Sequence, residues 1–102
     1  MTITGNKATN NGGVWGIRAL GDSGLLSGNV ANGNTNDGLV FSGSPFKGVT
    51  SGLTVSNNRA AFNGQYGIEG RAGDAIDGGG NVVQDNGTAA QCANIICHEV
   101  SN

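Results

Sequence analysis

Residues 53–68 read LTVSNNRAAFNGQYGI. An alternating stretch, Leu53-Thr54-Val55, leads to Asn58; Ala60 stands two positions on, Asn63 five positions on, and Gly67-Ile68 ends the run. The same order recurs as ITGNKATNNGGVWGIRAL (3–20), LSGNVANGNTNDGLVF (26–41) and GGGNVVQDNGTAAQCANII (78–96). The paired asparagines are Asn6 and Asn11, Asn29 and Asn34, Asn58 and Asn63, Asn81 and Asn86, and the first of each pair repeats at spacings of 23, 29 and 23. Ala8, Ala31, Ala60 and Val83 hold the place two after the first Asn. Ile3, Leu26 and Val55 hold the place three before it, where Gly78 breaks the pattern. A Gly-aliphatic step follows downstream as Gly16-Ile17, Gly38-Leu39 and Gly67-Ile68, and in the fourth unit the aliphatic arrives late, at Ile95 or Ile96.

Short alternating stretches punctuated by Asn and Gly cannot build a helix or a long strand. A unit of roughly 22 residues can instead travel once round a coil and pair its strands with the next unit about 4.8 Å away. Stacking then buries a continuous column of Ile, Leu, Val and Ala. Asn suits the bends because it tolerates left-handed dihedrals, and its amide can donate and accept along a column of identical amides. The expected result is a ladder over Asn6, Asn29, Asn58 and Asn81 and another over Asn11, Asn34, Asn63 and Asn86. Each rung is worth about 1 kcal/mol net, and an unpaired buried amide costs more.

Composition agrees. The 102 residues include 20 Gly and 14 Asn, so a third of the chain favours turns over helix interiors. Only 12% are charged and the net charge is -2, which leaves no basic surface for nucleic acid or an anionic membrane. Hydrophobic residues reach 36% and are evenly spread, against both disorder and a membrane-spanning helix. The two cysteines, Cys92 and Cys97, read as a disulfide, since an even count in a small acidic chain suits an oxidising compartment. No metal site is expected, because zinc needs about four ligands and only His98 stands near the cysteines. The first ten residues carry no secretory signal, so a signal is expected upstream in a longer protein.

The succession of aliphatic, Asn, Ala, Asn and Gly-Ile resembles the right-handed parallel β-helix repeat of pectin-lyase-like proteins over nearly the whole chain. The ending, from Asp77-Gly-Gly-Gly-Asn81 through Asn86 to Gln91-Cys92 and Cys97, resembles the terminal coil of secreted bacterial β-helix proteins. The fold expected is all-β: a right-handed parallel β-helix of about four coils with a C-terminal disulfide-closed cap. Residues 1–102 form one domain, the C-terminal portion of a longer protein, with a loop insertion at 42–50 and the cap at 87–102. A solenoid must blunt its last rung, because an open edge templates aggregation. Before Ile3 no such cap is written, so further coils of a parent protein or another subunit are expected on the first rung.

Enzymes of the resembled family cleave acidic polysaccharides. Asn34-Thr35-Asn36-Asp37-Gly38 is similar to the N-T-D-G motif of polygalacturonase-type hydrolases, with one residue too many and without the paired-Asp, G-H-G and R-I-K partners. Lyases need a basic residue and often an acidic Ca²⁺ cluster, whereas Arg18, Lys47, Arg59 and Arg71 fall on different coils and Asp74 and Asp77 stand apart. Arg18, Glu69 and Arg71 are expected to project from one outer face. His98, near the chain end, lacks anything to fix it. No catalytic residue and no cofactor is assigned. Trp15, Asp37 and Tyr66, at equivalent places before the Gly-aliphatic step, are the candidate ligand contacts, with carbohydrate as the ligand. The function expected is a non-catalytic structural or capping segment of a secreted or cell-surface β-helix protein, carbohydrate-associated, with neither nucleic acid nor membrane insertion. The alternatives are a fragment of a polysaccharide lyase, glycoside hydrolase or epimerase with its active site on other coils, and an adhesin or spike-like self-assembling solenoid.

Overall fold

The computed structural model describes residues 2–13, 15–20, 23–42, 50–70, 74–88 and 91–99. The first circuit contributes β1 (Thr2–Thr4), β2 (Lys7–Thr9) and β3 (Trp15–Leu20); the second β4 (Ser23–Ser27), β5 (Val30–Asn32) and β6 (Asp37–Ser42). The third supplies β7 (Thr50–Ser56), β8 (Arg59–Ala61) and β9 (Ile68–Gly70). The fourth supplies β10 (Asp74–Gly79), β11 (Val82–Gln84) and β12 (Cys92–Ala93), after which comes β13 (His98–Glu99). Strands at the same point of each circuit pair in parallel, giving sheets ordered β1-β4-β7-β10, β2-β5-β8-β11-β13 and β3-β6-β9-β12. This is a parallel β-helix of four coils with one extra strand on the second sheet. Most of the expected 42–50 insertion, residues 43–49, lies outside the described residues.

Register brings like residues together. Ile3, Leu26 and Val55 align in the first sheet, Ala8, Ala31, Ala60 and Val83 in the second, Ile17, Leu39 and Ile68 in the third. Leu26, Ala31, Leu39, Leu53, Val55, Ala60, Ile68 and Val83 are completely buried in one core. Each Leu, Ile or Val so buried is worth about 1.5–3 kcal/mol. The inward column of the second sheet is Ala8, Ala31 and Ala60 until Val83. In the fourth coil the partner of Val55 is Asp77, and Gly78 is the extra residue of a bulge between Asp77 and Gly79.

The bends work differently from the sequence expectation. The ladder asparagines do not take the left-handed conformation; the residue immediately before each one does. At the first bend these are Gly5, Gly28, Asn57 and Gly80, and at the second Asn10, Gly33, Phe62 and Asp85, all with φ between 51° and 71°. The left-handed residue turns the chain and leaves the next side chain pointing inward. Gly, Asn and Asp take this conformation readily, whereas Phe62 bears the steric cost of a Cβ there.

Inward-pointing asparagines form two directional ladders. Asn6 Nδ2 donates to Asn29 Oδ1 (3.1 Å), Asn29 Nδ2 to Asn58 Oδ1 (3.0 Å) and Asn58 Nδ2 to Asn81 Oδ1 (3.1 Å). In the second, Asn11 donates to Asn34 (2.8 Å), Asn34 to Asn63 (2.9 Å) and Asn63 to Asn86 (2.9 Å). Every acceptor oxygen also takes the backbone N–H of the donating Asn, as from Asn29 to Asn58 (3.1 Å). The remaining Nδ2 hydrogen goes backward to a carbonyl, Leu26 O for Asn58 and Ala31 O for Asn63. Asn29 and Asn58 are about 1% exposed, and each has both amide hydrogens donated and its oxygen accepting twice in a dry interior.

The Gly-aliphatic step follows from the second ladder. A Cβ on Gly16, Gly38 or Gly67 would stand 2.5, 2.6 or 2.5 Å from the Nδ2 of Asn34, Asn63 or Asn86. Glycine is therefore required by close approach to the ladder rather than by backbone freedom.

Two measurements check this account. Asn58→Ala deletes one rung and strands Leu26 O and the N–H of Asn29, so chemical denaturation should register a loss of at least about 3 kcal/mol, against under about 1 kcal/mol for Asn36→Ala outside both ladders. Equal losses would contradict the ladder. Gly38→Ala should cost at least about 2 kcal/mol by overpacking, while Gly12→Ala, with nothing within 4 Å of its added Cβ, should change stability by less than about 0.5 kcal/mol.

Candidate functional site

The candidate ligand contacts do fall in one column. Trp15 pairs with Asp37 in register, and Tyr66 N–H donates to Asp37 Oδ1 at 3.0 Å. Trp15 and Tyr66 are half-buried and Asp37 is 0% exposed, so its carboxylate serves the interior of the stack and has no surface to offer a ligand. Arg18 places its guanidinium 4.4 Å from the centre of the Trp15 ring, a cation–π contact worth about 0.5–1 kcal/mol at an exposed site. Arg18 and Glu69 lie on the outer side of the third sheet with Val40 between them in register, and Arg71 lies outside the described residues. Among the described residues no three His, Cys, Asp or Glu side chains gather to hold a metal ion. Phe62 is the most unusual surface residue: left-handed and 59% exposed.

Chemistry is more concentrated at the C-terminal end. Cys92 and Cys97 are joined in a disulfide with Cα atoms 6.3 Å apart. Cys92, rather than Ile95 or Ile96, continues the Ile17-Leu39-Ile68 column. Ile95 packs against the core and Ile96 is 82% exposed. The late aliphatic read from sequence is therefore a misalignment: Gln91-Cys92 stands where the other coils have Gly-aliphatic.

Gln91 is the functional residue that sequence reading missed. It lies opposite Gly67, and among the described residues no ladder Asn of a following coil stands against it, so a side chain is accommodated. Its Oε1 accepts both the backbone N–H and the Nδ2 of Asn86, each at 3.1 Å, the pair of bonds that a next ladder Asn would receive. Its Nε2 donates to Glu99 Oε1 at 3.0 Å. After β12 the chain skips the first sheet and lays β13 on β11, with His98 N–H donating to Asn81 O at 2.8 Å. Val30, Arg59 and Val82 make the same bond to the Asn of the coil before them. Asp77 accepts Gly79 N–H on Oδ1 and Ile96 N–H on Oδ2, both at 3.0 Å. An open cavity of about 630 Å³ lies between Asp77–Asn81 and Ile96–His98, where a fifth strand of the first sheet would otherwise run.

The opposite end has a different character. Asn6 and Asn11 are exposed and give their amide donors to the coil above, while among the described residues nothing donates to their Oδ1 atoms.

Three parallel sheets wound from successive coils around an inner column of aliphatics and amides define the class: a parallel β-helix. The family described as right handed beta helix region matches residues 1–98, and the chain belongs to that family. Comparison with curated proteins and with solved structures returns no match.

Gln91→Ala removes the acceptor that ends the second ladder. Hydrogen exchange at Asn86 and at β12–β13 should accelerate at least about tenfold, with the first two coils unchanged. Uniform acceleration over all coils would contradict a local terminating role.

Proposed function

We propose that this chain is a non-catalytic structural segment that closes the C-terminal end of a longer β-helix protein. The observation that supports this reading is the contrast between the two ends. One end has its second ladder terminated by Gln91, its second sheet covered by β13 and a disulfide across the join. At the other, among the described residues nothing donates to the Oδ1 atoms of Asn6 and Asn11, which lie beside the outer edges of β1, β2 and β3. A further coil of the parent, or of another subunit, would meet those acceptors with the Asn donors that every coil here supplies.

Secretion or display at the cell surface is part of the proposal, as is a bacterial parent of the pectin-lyase-like kind. The disulfide favours an oxidising compartment. A second reading, carbohydrate association, draws on the half-buried Trp15 and Tyr66, with Arg18 over the Trp15 ring. On that reading the aromatics supply the sugar-stacking surface and Asp37 stays internal. An enzyme whose chemistry resides on other coils would use this segment in the same way, as the end of its scaffold.

The reading is tested by lengthening the stack. Thr2 and Leu25 are register partners, so a tandem copy of residues 2–24 placed before Thr2 continues the coil without a break. The melting midpoint should rise by about 4 °C or more, and the amides of β1 and β2 should exchange more slowly. An unchanged midpoint with undiminished exchange in β1 and β2 would refute the proposed extension.

A further inference from the structure

We propose that Asn63-Gly64 and Asn86-Gly87 are latent modification sites: stacked coils hold them inert, but once a coil lifts away each closes to a succinimide and reopens as isoaspartate, which bars that coil from stacking again.

The fold itself demands these two dipeptides. Each Asn is fixed by the second ladder, and each Gly by the coil before it: a Cβ on Gly64 would collide with Thr35 O, and one on Gly87 with Gly64 O. Asn followed by Gly is also the pair whose backbone most readily attacks its own side chain, because no Cβ shields the glycine nitrogen and its dihedrals are the least restricted. In that attack the Gly64 nitrogen gives its proton to a base in solution and bonds to Asn63 Cγ. The Cγ–Nδ2 bond breaks, and Nδ2 takes up a proton and leaves as ammonia. Water then adds to either carbonyl of the ring, giving Asp or isoaspartate. Gly87 and Asn86 follow the same steps.

In the stacked chain every group in that sequence is engaged elsewhere. Gly64 N–H donates to Asn34 O at 3.0 Å and Gly87 N–H to Asn63 O at 2.9 Å, so each nucleophile is held to the preceding coil. Asn63 Nδ2 donates both hydrogens, to Ala31 O and Asn86 Oδ1, each at 2.9 Å. Asn86 Nδ2 donates to Ala60 O at 3.0 Å and Gln91 Oε1 at 3.1 Å. Swinging either Cγ onto its glycine nitrogen breaks these bonds together. Asn63 is also only 3% exposed, which keeps base and water away.

The product cannot return to its place. At Asn63 either acid puts an oxygen where Nδ2 donated, so that acceptor faces Ala31 O and Asn86 Oδ1 and a charge enters a dry interior. Isoaspartate also lengthens the main chain by one atom within a coil whose register the ladders fix. An opening is therefore recorded permanently. The two sites differ in what must separate: Asn86 is freed when the fourth coil leaves the third, whereas Asn63 is tied to the second and the fourth. Asn86 converts first.

The inference needs the ladder alone and not the closing role proposed above. The full chain is held in mildly alkaline buffer, native or unfolded in guanidinium, and digested for site-resolved mass spectrometry, with isoaspartate told from Asp by an isoaspartate methyltransferase. Because ring closure is confined to the opened population, native Asn63 should convert at least about a hundredfold more slowly than unfolded Asn63. Asn86 should precede Asn63, and guanidinium below the unfolding midpoint should speed conversion in step with deuterium exchange of the Gly64 and Gly87 amides. After dilution from denaturant, molecules carrying isoaspartate at Asn63 should not regain slow exchange in β8 and β11. Equal native and unfolded rates overturn the protection. Conversion of Asn63 ahead of Asn86, or conversion that does not follow glycine exchange, overturns the link to coil separation. Modified molecules that recover the parent's slow exchange overturn the irreversible record.

Discussion

A buried primary amide has two hydrogens and an acceptor oxygen, and nothing in a narrow apolar coil can satisfy them except another backbone or another amide. That constraint organises the molecule. Each interior Asn sends one hydrogen forward to its neighbour's oxygen and one back to a carbonyl, while its own oxygen accepts a side chain and a main-chain donor from the preceding coil. Saturation requires coils stacked in register at a constant separation, and that same separation forms the three sheets. Glycine at 16, 38 and 67 then follows from the ladder's need for room.

Directionality is a second consequence. Aliphatic columns look alike from either end, but an amide column does not: it leads with acceptors and trails with donors. The chain treats the trailing end as a problem to be solved chemically, with one more amide from Gln91, one more strand from β13, a carboxylate from Asp77 for Ile96 N–H, and a covalent bond. Those pieces come from separate points in the sequence and act at the exposed end of a single coil.

Much of this was legible before any coordinates. Asn spacing, the Ile3-Leu26-Val55 column and the alanine column translate directly into strand register, because stacking puts residues one period apart in contact. Parts that break the period were not legible. Gln91 stands where the other coils have Gly, and among the described residues no following ladder Asn crowds that place. Cys92 stands in an aliphatic column as half of a disulfide, which hid the end of the repeat behind Ile95 and Ile96. Asp37, read as part of a motif and as a candidate ligand contact, is fully buried and accepts Tyr66 N–H. The bends were read as the work of the ladder asparagines, whereas the left-handed residue is the one before each, a place that holds Gly, Asn or Asp and once Phe62, a residue no propensity would choose.

The most direct test is the exchange of the asparagine side-chain amides themselves, followed by NMR after transfer to deuterated water. The amide hydrogens of Asn29, Asn34, Asn58 and Asn63, held between coils on both sides, should be retained far longer than those of Asn36 outside the ladders, with Asn6 and Asn11 at the first rung between the two. Loss of all of them at a common, solvent-like rate would mean that the amides are not locked in columns, and the explanation of the fold offered here would be wrong.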